Sequence, residues 1–456
     1  MLSLVGLAVI GTMTTLLILG RISPVVGLTV IPIVGALIAG FTPGEISDFF
    51  ETGLGSVMDV AVMLIFAIIF FGIMNDAGLF NPLISLTVKL TRGNVVAVSV
   101  GTVLLAAVCH LDGAGASTFL ITIPALLPLY QRLGMSRYLL LLLVGTSMGI
   151  LNMLPWGGPV GRSAAALDLD PVTIWRDLIP VQIISLVLLV GMAVILGYRE
   201  RARIAAHQKV LAYAGGGSGS DASDTGIGTA EPDTAASADW AAGSEQPADA
   251  TRTKMWLNAV LVLTAMTLLV TEIVPPALCF LIALCAALII NYPKVSDQME
   301  RIRAHGGAAL GTGAIIFAAA CFLGILQESG MLESLASDAV GLLPESSIPY
   351  LHLIVGVLGL PLELLLSTDA HYFALLPLVE GIASQVGVDT LAVTYTVIVG
   401  NVIGTYISPL NASLWLGLGL AGADIGKHIK YSFFPMWIFS VVVLAVSLGV
   451  GAIPWS

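Results

Sequence analysis

The sequence predicts an all-α polytopic membrane protein of about ten transmembrane helices plus two re-entrant hairpins, in two inverted-topology repeats. Three observations predict it. The first is composition: of 456 residues, 57% are hydrophobic and 10% charged, with a mean hydropathy of +0.98. A soluble domain carries about 25% charged and roughly 45–50% apolar residues. So few charges leave too much apolar surface for water, which excludes a cytosolic enzyme, a nucleic-acid binder and a disordered chain. The second is the apolar runs, about 16–20 residues long and without alternation. A transmembrane β-barrel would show alternating segments of about ten residues. The third is a set of motifs that recurs, in order, in the second half of the chain.

In chain order the apolar runs are 2–20, 24–41, 57–76, 94–130, 136–167, 178–197, 255–272, 275–291, 307–327, 349–385, 391–420 and 431–452. The first lacks a basic start and a cleavage site, so it reads as a retained span. The run within 94–131 is too long for one crossing and breaks at Asp112-Gly-Ala-Gly. The run 349–385 breaks at Ser367-Thr-Asp. Both are expected to be hairpins. The runs 136–167 and 391–420 carry Pro155-Trp-Gly-Gly-Pro159 and Ser408-Pro409, so both are expected to be broken helices. Broken polar backbone survives at membrane depth only when buried in protein or lining a wet cavity.

Three regions follow. Residues 1–197 form the first repeat, with scaffold spans in 1–76, and 255–456 the second, with scaffold spans in 255–327. Residues 198–254 form a linker, expected to be disordered over about 214–250 because it is rich in Gly, Ser, Ala and Asp. Its Gly215-Gly-Gly-Ser lacks the following Lys of a phosphate loop. With both termini outside, the cytoplasmic loops receive 16 of the 18 basic residues, Lys89, Arg92 and Lys209 among them. Arg176 falls outside and Arg162 within the bilayer. The positive-inside rule therefore places 198–254 in the cytoplasm of a cell (inner) membrane protein. The net charge of −11 says little about partners, since much of the acid lies in the linker. Cys109, Cys279, Cys285 and Cys321 lie in apolar runs without metal-ligand spacing and read as small hydrophobes.

Phe71-Gly-Ile-Met-Asn-Asp-Ala-Gly-Leu-Phe80 matches Leu323-Gly-Ile-Leu-Gln-Glu-Ser-Gly-Met-Leu332 at an offset of 252. Ala125-Leu-Leu-Pro-Leu129 recurs at 249, and Pro159 matches Pro409 at 250. An odd number of spans per half turns the second copy upside down. Inverted repeats with paired discontinuous segments are the signature of a secondary transporter.

Polar residues in a membrane are costly and usually functional, and they gather at the four breaks. The first tip offers His110, Asp112, Gly113, Gly115, Ser117 and Thr118; the second offers Ser367, Thr368, Asp369 and His371. Asp112 and Asp369, each two residues from a histidine, suit a cation or, once desolvated, a proton; both also suit hairpin caps. His110 and His371 suit the same coupling role or a satisfied core position. Glycines let backbone approach a ligand, and helix ends at a tip offer N–H groups to an anion. The first broken helix brings Asn152, Trp156, Gly157, Gly158, Arg162 and Ser163. Arg162 at membrane depth needs a carboxylate, from the protein or from a substrate, and its fork fits one. The second brings Asn401, Thr405, Ser408, Asn411 and Ser413, as ligands or as caps. Asp76 and Glu328 are equivalent span ends. Glu363 on a hairpin leg is a candidate member of a proton path. Nothing resembles HExxH or GxSxG, and no enzyme is expected.

The Phe71–Phe80 run, Leu111-Asp-Gly, Pro155-Trp-Gly-Gly-Pro159 and Ser408-Pro409-Leu410 resemble the citrate–divalent-metal:proton symporter family, over both halves and outside the linker. That family belongs to a wider ion transporter superfamily that includes divalent anion:sodium symporters. The resemblance implies symport of citrate with protons across the plasma membrane, with Mg²⁺ or Ca²⁺ carried on the substrate and no permanently bound cofactor. It also implies an elevator-type homodimer, whose moving part holds the hairpins and broken helices. The tips depart from the family pattern at Ala114, Ala116 and Thr368. The alternatives are a proton- or sodium-coupled carrier of another organic anion without metal, and a passive anion channel.

Overall fold

A computed structural model describes residues 1–19, 21–79, 82, 94–215, 252–271, 273–342, 344 and 346–455. Every regular element among them is helical. Local chemistry sets many of the starts. Helix α1 (Leu2–Ile18) is followed by α2 (Pro24–Ala39), where the Ser23 hydroxyl accepts from Val26 N–H and Pro24 sits in the first turn. Helix α3 (Pro43–Asp76) opens on a capping box: Glu45 N–H donates to the Thr42 hydroxyl, and Thr42 N–H donates to the Glu45 carboxylate at 2.7 Å. Such a cap satisfies two amides that the helix itself leaves free.

The first hairpin is α4 (Val95–Cys109) and α5 (Gly115–Arg132), joined by the turn His110–Asp112 and by Gly113 at φ 69°. Only glycine takes that backbone angle cheaply. The first broken helix is α6 (Arg137–Leu151) and α7 (Gly158–Leu167), and α8 (Pro171–Gly215) closes the half. The second half opens with α9 (Arg252–Thr271), α10 (Pro276–Asn291), α11 (Val295–Glu328) and α12 (Met331–Leu342). Helix α13 (Leu351–Leu365) leads through a turn at Thr368–Ala370 and a π-helical stretch, His371–Leu375, into α14 (Leu376–Ala383). The last elements are α15 (Thr390–Val402) with a 3₁₀ turn at Ile403–Tyr406, α16 (Ala412–Ala421) and α17 (Ile425–Gly449). Short turns interrupt the helices at His110–Asp112, Thr368–Ala370 and Ile403–Tyr406.

Several boundaries differ from the apolar runs. The runs 57–76, 307–327 and 178–197 are parts of helices that begin at Pro43, Val295 and Pro171. Hydropathy marks the stretch at membrane depth; caps and polar first turns decide where the helix begins. At 34 residues, α3 and α11 are each about 51 Å long, beyond a bilayer core of about 30 Å. The linker region is likewise helical at its described ends, to Gly215 and from Arg252. Most of the stretch expected to be disordered, and Lys89 and Arg92, lie outside the described residues. Among the described residues, seven helices are long and apolar enough to cross a membrane, and six shorter apolar ones of 10–17 residues accompany them. The protein is a multi-pass membrane protein. All four cysteines are free, three of them buried and Cys285 exposed.

The two 34-residue helices form the centre, with α10 against α3 and α2 against α11. They run antiparallel. A Cβ on Gly53 would strike the Ala320 carbonyl oxygen, and one on Gly324 the Phe49 carbonyl oxygen. At the other end a Cβ on Gly72 would strike the His305 ring, which bonds Asp76 at 2.8 Å beside Arg301. Small residues let the backbones close where no hydrophobic force drives helices together in lipid. The same device joins α13 to α15, where a Cβ on Gly400 would strike the Gly356 backbone. Helix α4 lies on α6 and α8, and α13 on α15 and α17. The buried side of α8 is tied to the start of α6 by Glu200, which accepts from Ser136 N–H at 2.6 Å and twice from Arg203.

Candidate functional site

Each hairpin tip meets the broken helix of the other half. Against the first tip, a Cβ on Gly115 would stand 2.9 Å from Ser413 and 3.0 Å from the Tyr406 ring. At the second tip, Arg162 Nε donates to Asp369 Oδ1 at 2.6 Å. Side chains 207 residues apart in sequence thus form one ion pair, and the second tip's π-helical stretch lies on α7.

Asp112 holds its own tip in shape. Its Oδ1 accepts from Ala114 N–H at 2.9 Å and its Oδ2 from the Ser117 hydroxyl. The Gly113 backbone abuts Trp156, whose indole N–H donates to Leu111 O at 2.8 Å and whose ring stacks on Phe71 with centroids 4.7 Å apart. Trp156 therefore buttresses the first tip against α3. The fully buried His110 bonds Thr118 Oγ1 through Nδ1 at 2.8 Å and Asn152 Oδ1 through Nε2 at 3.0 Å. An amide oxygen only accepts, so the Nε2 atom carries a hydrogen. Tyr406 OH lies 3.2 Å from the same nitrogen and accepts from Asn152 Nδ2.

The second half builds a matching arrangement with different chemistry. Glu363 on α13 takes the place of His110. Its Oε1 pairs with Thr368 Oγ1 at 2.5 Å, and its Oε2 accepts from Asn401 Nδ2 at 2.6 Å. Thr368 follows Thr118 by 250 residues, and Asn401 follows Asn152 by 249. Tyr372 OH donates to Asn401 Oδ1 at 2.8 Å, and the Ser408 hydroxyl to the Glu363 carbonyl at 2.7 Å. Ser367 and Asn411 cap the helix starts that follow them: Ser367 Oγ accepts from Ala370 N–H, and Asn411 Oδ1 from Ser413 N–H.

Arg162 and its neighbours leave capacity open. Among the described residues, only Nε of the guanidinium has a hydrogen-bond partner. Gly157 abuts the Asn152 carbonyl, and Gly158 gives the Arg162 Nη1 end room to fold back. Among the described residues, His371 is wholly buried with neither ring nitrogen bonded, and the hydroxyls of Ser163 and Thr405 are buried without partners. Buried polar groups are nearly always satisfied, so three unsatisfied ones on the second tip and the two breaks mark places for a ligand or water. Among the described residues no three His, Cys, Asp or Glu side chains converge on a metal position. A separate cleft of about 470 Å³, lined by Gln327, Glu333, Gly381 and Gln385 among others, shares no residue with the tips.

Glu363 is in the sequence a candidate member of a proton path, whereas Tyr372 and Tyr406 carry no sequence signal that sets them apart from other aromatic residues. The repeat offset was the signal that leads to Glu363: Thr118 and Asn152 pair with Thr368 and Asn401, and the acid bridges the latter two.

Residues 3–400 match the family described as citrate transporter. A citrate transporter and a Mg(2+)/citrate complex secondary transporter of Bacillus subtilis (strain 168) are each 34% identical to the chain over 454 and 455 residues. The matches cover 99% of this chain and 100% and 99% of those proteins. Among solved structures, the Alcanivorax borkumensis YdaH transporter shares the fold, with a TM-score of 0.60, 15% identity and 91% of both chains covered.

Proposed function

Because the chain belongs to the citrate transporter family, whose members are transporters and not enzymes, we propose that it is a proton-coupled symporter that takes up citrate as a complex with a divalent metal. The Mg(2+)/citrate name of one relative supports the metal; the cation, Mg²⁺ or Ca²⁺, travels as part of the substrate, wrapped by citrate's own carboxylates. One observation carries the reading: Arg162, half-buried between the second tip and the first break, gives Asp369 only Nε and keeps its Nη edge open. A guanidinium edge is the natural seat for a carboxylate. An incoming citrate carboxylate takes that edge and shares the guanidinium with Asp369, so one arginine links the second tip to the substrate. Thr118, Asn152, Thr368, Asn401 and Ser408 set the polar frame, and the unsatisfied His371, Ser163 and Thr405 face the same task.

What supports alternating access is the reciprocal meeting of tips and breaks, together with the antiparallel course of α3 and α11. Gly53 abuts Gly324 while Gly72 abuts His305, and an offset of 252 converts one pair into the other. That is the relation expected of two halves oppositely oriented in the bilayer. The superfamily resemblance supports an elevator-type homodimer. The basic residues around 198–254 support a cytoplasmic linker with both termini outside.

The test is a substrate panel in proteoliposomes: citrate, isocitrate, succinate and malate, each with and without Mg²⁺ or Ca²⁺. Saturable citrate uptake that rises with the divalent ion is expected. Preference for a dicarboxylate indifferent to metal would reject the metal–citrate reading.

A further inference from the structure

Among the described residues, four acidic side chains are buried, and three of them have obvious charge or capping partners. Glu200 has Arg203, Asp369 has Arg162, and Asp112 caps its own tip. Glu363 alone is completely buried, at 0% exposure, and both its oxygens face neutral partners, Thr368 and Asn401. The charged groups that face it are Arg162 from α7 and Asp369 from the second tip, and these two are bonded to each other. Tyr372 faces it from the π-helical stretch, across Asn401. From α15 and its 3₁₀ turn the facing groups are neutral, Asn401 and Gly404.

An ionised carboxylate in such a place has lost its water and gained no cation, a cost that buried acids escape by taking up a proton. The bonding geometry accommodates the acid form. Asn401 Nδ2 is a donor, so Oε2 is the carbonyl oxygen. Oε1 then bears the proton and donates to Thr368 Oγ1, since a hydroxyl also accepts. Thr368 is half-buried at the tip, so the proton on Oε1 is one hydroxyl away from the tip surface.

We propose that Glu363 is the residue that binds the transported proton. This rests on the proton coupling of the proposed function, and the charge arithmetic at Arg162 supplies the link to substrate. In the empty site Arg162 is neutralised by Asp369. When a substrate carboxylate takes Arg162, Asp369 loses its exclusive claim on it, and a second free negative charge at Glu363 would compete for the same arginine. Substrate therefore binds best when Glu363 is protonated. Loss of the proton favours substrate release, and coupling of this kind acts equally in both directions.

The test uses Glu363→Gln, whose amide keeps both hydrogen bonds but holds no exchangeable proton. In proteoliposomes containing a pH-sensitive dye, the wild-type protein is expected to take in protons with Mg²⁺–citrate. The variant is expected to exchange external for internal Mg²⁺–citrate without proton entry. Wild-type proton entry per substrate in the variant would overturn the assignment. If the variant does not exchange, binding to detergent-purified protein decides, measured where citrate is fully ionised. Weakening of wild-type binding by about tenfold per pH unit, against a flat profile for Glu363→Gln, supports the proposal; equal slopes overturn it. A wild-type protein that moves Mg²⁺–citrate with no proton at all rejects the coupling itself, and the assignment falls with it.

Discussion

Arg162 is legible in the sequence as the lone basic residue at membrane depth, and its need for a carboxylate follows from charge burial alone. Its partner is not legible, because Asp369 lies 207 residues away and no spacing rule reaches across two halves of a chain. Asp112 and Asp369 look alike in the sequence, each beside a histidine at a glycine- or hydroxyl-rich tip. They differ in the folded protein because one finds amide and hydroxyl donors within its own turn and the other finds an arginine. The residue-scale prediction is that Arg162→Lys keeps the charge but loses the open fork. Removing one side of a desolvated charge pair costs about 2–5 kcal/mol. The lysine variant is expected near the low end, about thirtyfold weaker in Mg²⁺–citrate affinity. Affinity and melting temperature measured on the same purified variant check it: unchanged affinity with a lower melting temperature assigns Arg162 to structure alone.

At the scale of elements, the tips and breaks are legible because they violate helical chemistry inside apolar runs, as Asp112-Gly-Ala-Gly and Pro155-Trp-Gly-Gly-Pro159 do. Helix starts are less so. The Thr42–Glu45 capping box places the start of α3 fourteen residues before its apolar run, and hydropathy is blind to it. Nor does the sequence distinguish the glycines that make helix contacts from those that do not. On α11, a Cβ at Gly324 meets backbone oxygen, whereas at Gly311 it meets nothing within 4 Å. Gly324→Ala is therefore expected to destabilise the α3–α11 crossing by about 1–3 kcal/mol. Gly311→Ala is expected to be neutral or to stabilise by a few tenths, since alanine favours helix. Thermal unfolding of the two purified variants compares them directly; equal melting temperatures would mean that the crossing is looser than the backbone contact implies.

At the scale of the whole molecule, the repeat is readable as an offset near 250 residues, but its consequence is spatial. Two helices that match in sequence pack antiparallel, and each tip meets the other half's broken helix, the arrangement on which the proposed alternating access rests. Such a device accumulates substrate only when the gradient of another species drives it. The direct measurement is Mg²⁺–citrate uptake into proteoliposomes with an imposed pH gradient, alkaline inside, with and without a protonophore. Accumulation above the external concentration that collapses when the protonophore is added is the expected result. Uptake that merely equilibrates, or that ignores the pH gradient, would contradict proton-coupled transport by this protein.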